Sequence, residues 1–199
     1  MITGDESPEV FDAIYQLARP YLAARDGEVH VQIMLDFMSR LLETRKGDRG
    51  VIIPAVILHD TGRSAIPDAM EQMTWGPNHD PGLLRLHEVE GVKIARSILQ
   101  EVGYDMSKVE EILQIVDGHD TRANAISIND EIVKDADKLT RYTRHDFWLV
   151  VETFGMAAED TYRTLESFIE QWLLLPESKE MAREELKQRQ QEFESFPRS

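Results

Sequence analysis

Apolar positions recur along this chain at the three- and four-residue spacing of helices. Phe11, Ile14, Ala18 and Tyr21 form one stripe, and His30, Ile33, Met34, Phe37 and Leu41 form a second. Leu84, His87, Gly91, Ile94 and Ile98 make a third, and Val109, Ile112, Leu113 and Val116 a fourth. Leu165, Phe168, Ile169 and Trp172 make a fifth. Residues so spaced share one helical face. Alternation of period two never extends beyond a few residues, so the chain reads as all-α. The longest apolar run, Val51 to Leu58, enters the interior and stops abruptly at His59-Asp60. Helix breaks are expected at Gly47 to Gly50, at Gly62 to Gly82, at Gly103, around Asn124 to Asn129 and at Pro176. The Gly62 to Gly82 stretch, with Pro67, Trp75, Pro77 and Pro81, is the longest irregular segment. Within it, the loop Ile66 to Gly82 is expected to cover a substrate with Trp75 stacking on a base, the alternative being a packed loop aromatic. Glu177 to Phe193 is charged and helix-prone, and is expected to pack on the outside.

Composition narrows the class. A chain of 199 residues, 42% of them apolar, can build one domain with a real core. It has no cysteine, which removes disulfides and thiolate zinc sites and fits the cytosol. The acidic stretch Met1 to Glu9 has no apolar segment of the secretory kind. The longest apolar run falls far short of the roughly 20 residues a membrane span needs. A soluble, cytoplasmic protein without a membrane partner is expected, and association into a homo-oligomer is left open. The net charge of −15 repels polyphosphate backbones and argues against bulk nucleic-acid binding. A small phosphorylated ligand would need a local metal or local cations.

The candidate chemistry lies in the histidines. His30, His59, His87 and His119 each lie on, or at the end of, an apolar helical stripe, whereas His79 and His145 sit among polar residues. One buried imidazole is ordinarily a satisfied core residue. Four of them, each needing partners for two nitrogens, form a nitrogen-rich cluster suited to Mn, Fe, Co, Ni or Zn. Asp60 adds an anionic oxygen directly after His59. Inside a helix neighbouring side chains diverge by about 100°, but at a helix end the chain can turn, and Thr61-Gly62 fits such a turn. A further carboxylate is expected from Asp135 or Asp137 in DADKL, and periodicity does not choose between them.

An early helical His, a His-Asp pair closing a later helix in ILHDTG and a distal Asp in DADKL together resemble the HD superfamily of metal-dependent phosphohydrolases. The likeness spans roughly residues 28 to 175 and is greatest to the small stand-alone bacterial members. It implies an all-α HD-domain bundle as a single domain over residues 1–199, with residues 176–199 as a C-terminal helical extension. It implies a divalent metal (Mn, Mg, Fe, Co, Ni or Zn) held by His30, His59, Asp60 and Asp137. His87 and His119 occupy positions that hold a second ion in the dinuclear branch, with Asp60 bridging; otherwise they orient water or phosphate. The Gly-Tyr-Pro signature of cyclic-di-GMP phosphodiesterases is missing after His87, where the chain reads HEVEGVKIAR, which argues against that substrate.

The expected activity is hydrolysis of a phosphate ester or anhydride, in a nucleotide or another small phosphorylated metabolite, by metal-activated water. Asp60 would also position that water, and Arg63 would bind phosphate from the motif loop. Arg141 and Arg144, four and seven residues after Asp137, would share its helical face and bind phosphate with Lys138. Alternatively these cations pair with the abundant carboxylates, Lys138 with a ligating one. Two further readings compete: a di-iron oxygenase on the same fold, and a metal-binding nucleotide sensor without turnover.

Overall fold

The computed structural model describes residues 7–23, 26–74 and 79–195. Among these residues there are nine α-helices and no strand: α1 (Pro8–Ala18), α2 (Gly27–Leu41), α3 (Arg49–Leu58), α4 (Pro81–Glu101), α5 (Met106–Val116), α6 (Ile128–Thr140), α7 (Arg144–Phe154), α8 (Ala158–Trp172) and α9 (Pro176–Ser195). Three short 3-10 segments, Arg19–Tyr21, Thr61–Ala65 and Asp68–Thr74, join them. The last two fill much of the stretch that the sequence marks as irregular. Trp75 lies outside the described residues.

Helix α3 is the axis of the bundle. Every residue from Gly50 to Leu58 is buried, and α1, α2, α4, α5 and α6 all pack on it. A helix apolar on all sides has to be enclosed in this way. Pro54 in its middle has no N–H to offer the carbonyl of Gly50. That carbonyl accepts instead from the hydroxyl of Tyr104, 2.6 Å away, so the proline leaves no buried acceptor unpaired.

Side-chain caps set the helix starts. Asp48 accepts from Gly50 N, Asp80 from Gly82 N ahead of Pro81, and Asp105 from Ser107 N. Ser127 accepts from Asp130 N and Thr143 from Asp146 N. Each such cap contributes about 1 kcal/mol. The Thr143 cap corrects one expectation. Helix α6 ends at Thr140 and α7 starts at Arg144, so Arg144 does not continue the face of Asp137, whereas Arg141, the C-cap of α6 in helical geometry, stays one turn from it. The Thr143-to-Asp146 spacing is a helix-start signature that outweighs the face arithmetic.

The C-terminal helix α9 packs against α6, α7 and α8, burying Ala182 and Leu186. Its entry is fixed by Asp135, whose carboxylate accepts from Leu174 N at 2.9 Å and Leu175 N at 2.8 Å. Among the described residues, no helix is long and apolar enough to cross a membrane.

Candidate metal centre

Where α3 ends, the chain tightens. His59 keeps helical geometry (φ −55°, ψ −42°), while Asp60 moves to φ −98°, ψ 5° and opens the 3-10 segment Thr61–Ala65. Thr61 Oγ1 donates to the carbonyl of Leu58 at 2.7 Å, which satisfies an orphan acceptor of the helix end. The tightening lets two consecutive side chains reach one place: His59 Nε2 and Asp60 Oδ2 are 3.6 Å apart.

The 3-10 segment lies hard against α4. A Cβ on Gly62 would sit 1.9 Å from the carbonyl oxygen of His87 and 2.3 Å from Gly91 N. Only glycine permits this approach. It brings the end of α3 against the turn of α4 that carries His87.

Four imidazoles converge there in two pairs. His30 Nε2, from α2, is 3.2 Å from His59 Nε2. His87 Nε2 is 3.1 Å from His119 Nε2. The rings of His59 and His119 meet edge to face with centroids 4.9 Å apart, so the pairs are neighbours. Asp60 lies between them. Its Oδ2 is 3.6 Å from His59 and 4.0 Å from His30, and its Oδ1 is 3.5 Å from His87 and 3.4 Å from His119. Asp137 Oδ1, from α6, is 3.3 Å from His30 Nε2.

The turn after α5 that carries His119 is clamped from both sides. Glu88, next to His87 and fully buried, accepts from Asp120 N at 3.0 Å and Thr121 N at 2.9 Å. Lys134, buried on α6, donates to the carbonyls of Gly118, His119 and Arg122. The motif-bearing helices thus also hold the backbone of the fourth histidine.

Two of the imidazoles are locked in orientation. His59 Nδ1 lies 2.8 Å from the carbonyl of Val56, and His119 Nδ1 lies 2.9 Å from that of Val116. A carbonyl only accepts, so both rings carry a proton on Nδ1 and turn Nε2 to the cluster, the arrangement a metal-ligating histidine uses. The buried Oδ1 of Asp60 has no hydrogen-bond partner. An unpartnered carboxylate oxygen beside nitrogens aimed at each other fits a divalent cation.

The phosphate-binding expectations meet the following geometry. Arg63 is buried, with Nε 2.7 Å from Asp60 Oδ2 and Nη1 donating to Thr74 Oγ1 at 2.8 Å. Lys138 Nζ lies 2.8 Å from Asp137 Oδ2 and 2.7 Å from Asp120 Oδ1. Arg141 closes α6 with Nη1 3.4 Å from Asp146, and its charge acts on Asp137. Arg144 is largely exposed and faces Glu192 at 3.8 Å, apart from the cluster. His79 and His145 are exposed. Sequence reading overlooked Asp120, Glu88 and Lys134. One signal was present: His119-Asp120 is a His-Asp doublet that ends an apolar stripe, as His59-Asp60 does and the polar-flanked His79-Asp80 and His145-Asp146 do not.

Charge follows burial and neighbours. Burial pushes His59 and His87 down to about 4. Burial opposes the charge on His119 as well, but the carboxylates of Asp60 and Asp120 raise it to about 9. Burial would raise Asp60, yet Arg63 and His59 hold it well below the usual carboxylate range. Asp137 is held low against burial by Lys138 and His30.

A pH optimum of stability follows for the metal-free chain. Between pH 6.5 and about 4 the unfolded chain binds protons that His59 and His87 refuse, so stability is lost as pH falls. Between 6.5 and about 9 the folded chain keeps the His119 proton that the unfolded one releases, so stability is lost as pH rises. Melting temperature in excess chelator should therefore peak near pH 6.5 and fall on both sides. A metal that displaces the His119 proton should flatten the alkaline limb.

A family model described as HD domain matches residues 28–142, more than half of the chain. No curated protein matches it. Among solved structures, the crystal structure of a predicted HD superfamily hydrolase from an uncultured Thermotogales bacterium superposes with a TM-score of 0.60 at 19% sequence identity. The match covers 92% of this chain and 88% of that one. At that identity the likeness is one of fold.

Proposed function

The chain belongs to the HD domain family, and from that premise we propose that it is a metal-dependent phosphohydrolase acting on a phosphate ester or anhydride of a nucleotide or another small phosphorylated metabolite. The observation that carries the reading is Asp60, a buried carboxylate offering one oxygen to each of two imidazole pairs. His30, His59, Asp60 and Asp137 would hold one divalent ion, and Asp60, His87 and His119 a second. When bound, such an ion supplies hydroxide near neutral pH and neutralises charge on a phosphoryl oxygen.

The protein's own groups have separate tasks. The carbonyls of Val56 and Val116 keep His59 and His119 presenting Nε2. Arg63 pins Asp60 Oδ2, and Lys138 pins Asp137 Oδ2. Among the described residues, the hydroxyls around the site are engaged: those of Thr74 and Thr121 donate to the Glu71 carbonyl and to Glu88. Cysteine is absent, and the hydroxyls of Thr61 and Thr140 already donate to the carbonyls of Leu58 and Asp137. Water is then the attacking group. Arg63, Lys138 and Arg141 supply positive charge beside the carboxylates, which an anionic substrate needs in a chain of net charge −15. The same acidity supports a small ligand over bulk nucleic acid.

The test is metal analysis of the full chain purified without chelator, then a screen of nucleotides and generic phosphoesters with Mn, Mg, Co and Ni. Phosphate release that chelator abolishes and metal restores is the expected result. Bound iron with oxygen uptake by the reduced protein would replace this reading with the oxygenase. Tight nucleotide binding with no turnover of any phosphate compound would replace it with a sensor.

A further inference from the structure

Lys138 touches two carboxylates that belong to different imidazole pairs. Its ammonium holds Asp137 Oδ2 and Asp120 Oδ1 at 2.8 and 2.7 Å. The other oxygen of each carboxylate turns to histidines. Asp137 Oδ1 is 3.3 Å from His30 Nε2. Asp120 Oδ2 is 3.6 Å from His87 Nε2 and 3.7 Å from His119 Nε2. Two half-sites of matching composition result: two imidazoles, one oxygen of Asp60 and one terminal carboxylate each. Adjacent donors that sit 2.0–2.2 Å from a common ion are about 3.0–3.5 Å apart. His87 Nε2 and His119 Nε2 lie 3.1 Å from each other, 3.4–3.5 Å from Asp60 Oδ1 and 3.6–3.7 Å from Asp120 Oδ2. The partnerless, buried Asp60 Oδ1 faces that same half-site.

We propose that Asp120 is the terminal carboxylate ligand of a second divalent-metal half-site, the counterpart of Asp137 in the first, and that Lys138 is the clip fixing both carboxylates. The proposal rests on the metal-dependent reading above and adds a ligand to it. The rival role for Asp120 is a counter-ion for Lys138 and Arg63, which its Oδ1 contact and the 3.7 Å approach of Arg63 would also suit. The two roles differ in what a neutral replacement does. A counter-ion becomes dispensable once its partner's charge is removed as well, whereas a ligand does not.

The full chain, stripped with chelator and dialysed, is titrated with Mn²⁺ alone, and bound ions are counted by calorimetry and electron paramagnetic resonance. Wild type should bind two ions, and His87→Ala one. Asp120→Asn should lose more than about a hundredfold in affinity for the second ion, beyond the roughly 10–100-fold that a non-ligating outer partner costs, and keep the first. The double variant Asp120→Asn/Lys138→Gln should show the same loss. It also covers the case in which an unpaired Lys138 unfolds the single variant, with far-UV circular dichroism as the check. A loss smaller than about a hundredfold in the folded variants makes Asp120 a counter-ion or outer partner and overturns the proposal. One ion in wild type overturns the second half-site and leaves the hydrolase reading standing. No ion in wild type sinks that reading too.

Discussion

Asp60→Asn is expected to remove both bound metal and turnover, lowering kcat/KM by about 10³-fold or more, the several kcal/mol a metal supplies to charge stabilisation. Asp60 directs one oxygen to His30 and His59 and the other to His87 and His119. Substitution at any one histidine disables a single pair, whereas the amide removes the anion common to both. The amide keeps the shape of the side chain, so loss of packing does not enter. A folding cost remains, because Arg63 is buried and loses the carboxylate 2.7 Å from its Nε. Breaking a buried pair costs about 3–5 kcal/mol; here Asp120 at 3.7 Å and Thr74 still hold the guanidinium and reduce that figure. Metal content by plasma mass spectrometry, activity and helicity are measured on the same preparation. Wild-type metal stoichiometry in the folded variant would remove Asp60 from the centre of the mechanism.

Gly62→Ala is expected to be the most destabilising single methyl addition at the site, at about 3 kcal/mol or more. The new carbon would lie 1.9 Å from the carbonyl oxygen of His87, 2.3 Å from Gly91 N and 2.9 Å from Gly91 Cα. All three are backbone atoms of α4, so no side chain can rotate away. Relief requires the 3-10 segment and α4 to separate, which draws His59-Asp60 away from His87. For a chain of this length that cost corresponds to a fall of roughly 6–12 °C in melting temperature, accompanied by weaker metal binding. Gly91→Ala is the matched control. Its added carbon meets His59 O and Val116 Cγ1 at 3.4 Å and Gly62 N at 3.5 Å, ordinary contact. Alanine also favours the helix by up to about 1 kcal/mol. Equal melting temperatures for the two variants would contradict the close approach.

The helices were largely legible because their signals are local. The stripes of α2, α4, α5 and α8 repeat within a few turns, and caps such as Asp80-Pro81 and Ser127 lie within three residues of what they cap. The break between α6 and α7 was equally local, written in Thr143 and Asp146, but a run of cations at helical spacing drew attention across it. The centre itself was only partly legible. His-Asp pairs and DADKL name residues by sequence neighbourhood, whereas the contacts of Asp120, Glu88 and Lys134 cross from one element to another.

By itself, the sequence determined that the fold is all-α, that an apolar segment would deliver His59 and Asp60 to a buried position, and that three more histidines sit on apolar faces. Periodicity carries that information, since a side chain's face is fixed by its own helix. Only the tertiary structure decided what each side chain meets. Asp135 turns to the amides of Leu174 and Leu175 while Asp137 turns to His30. Arg63 reaches Asp60 with its Nε, and Asp120 joins the cluster through Lys138. Such pairings depend on how closely separate helices approach. Here that distance is set by backbone contact at Gly62, which no periodic pattern encodes.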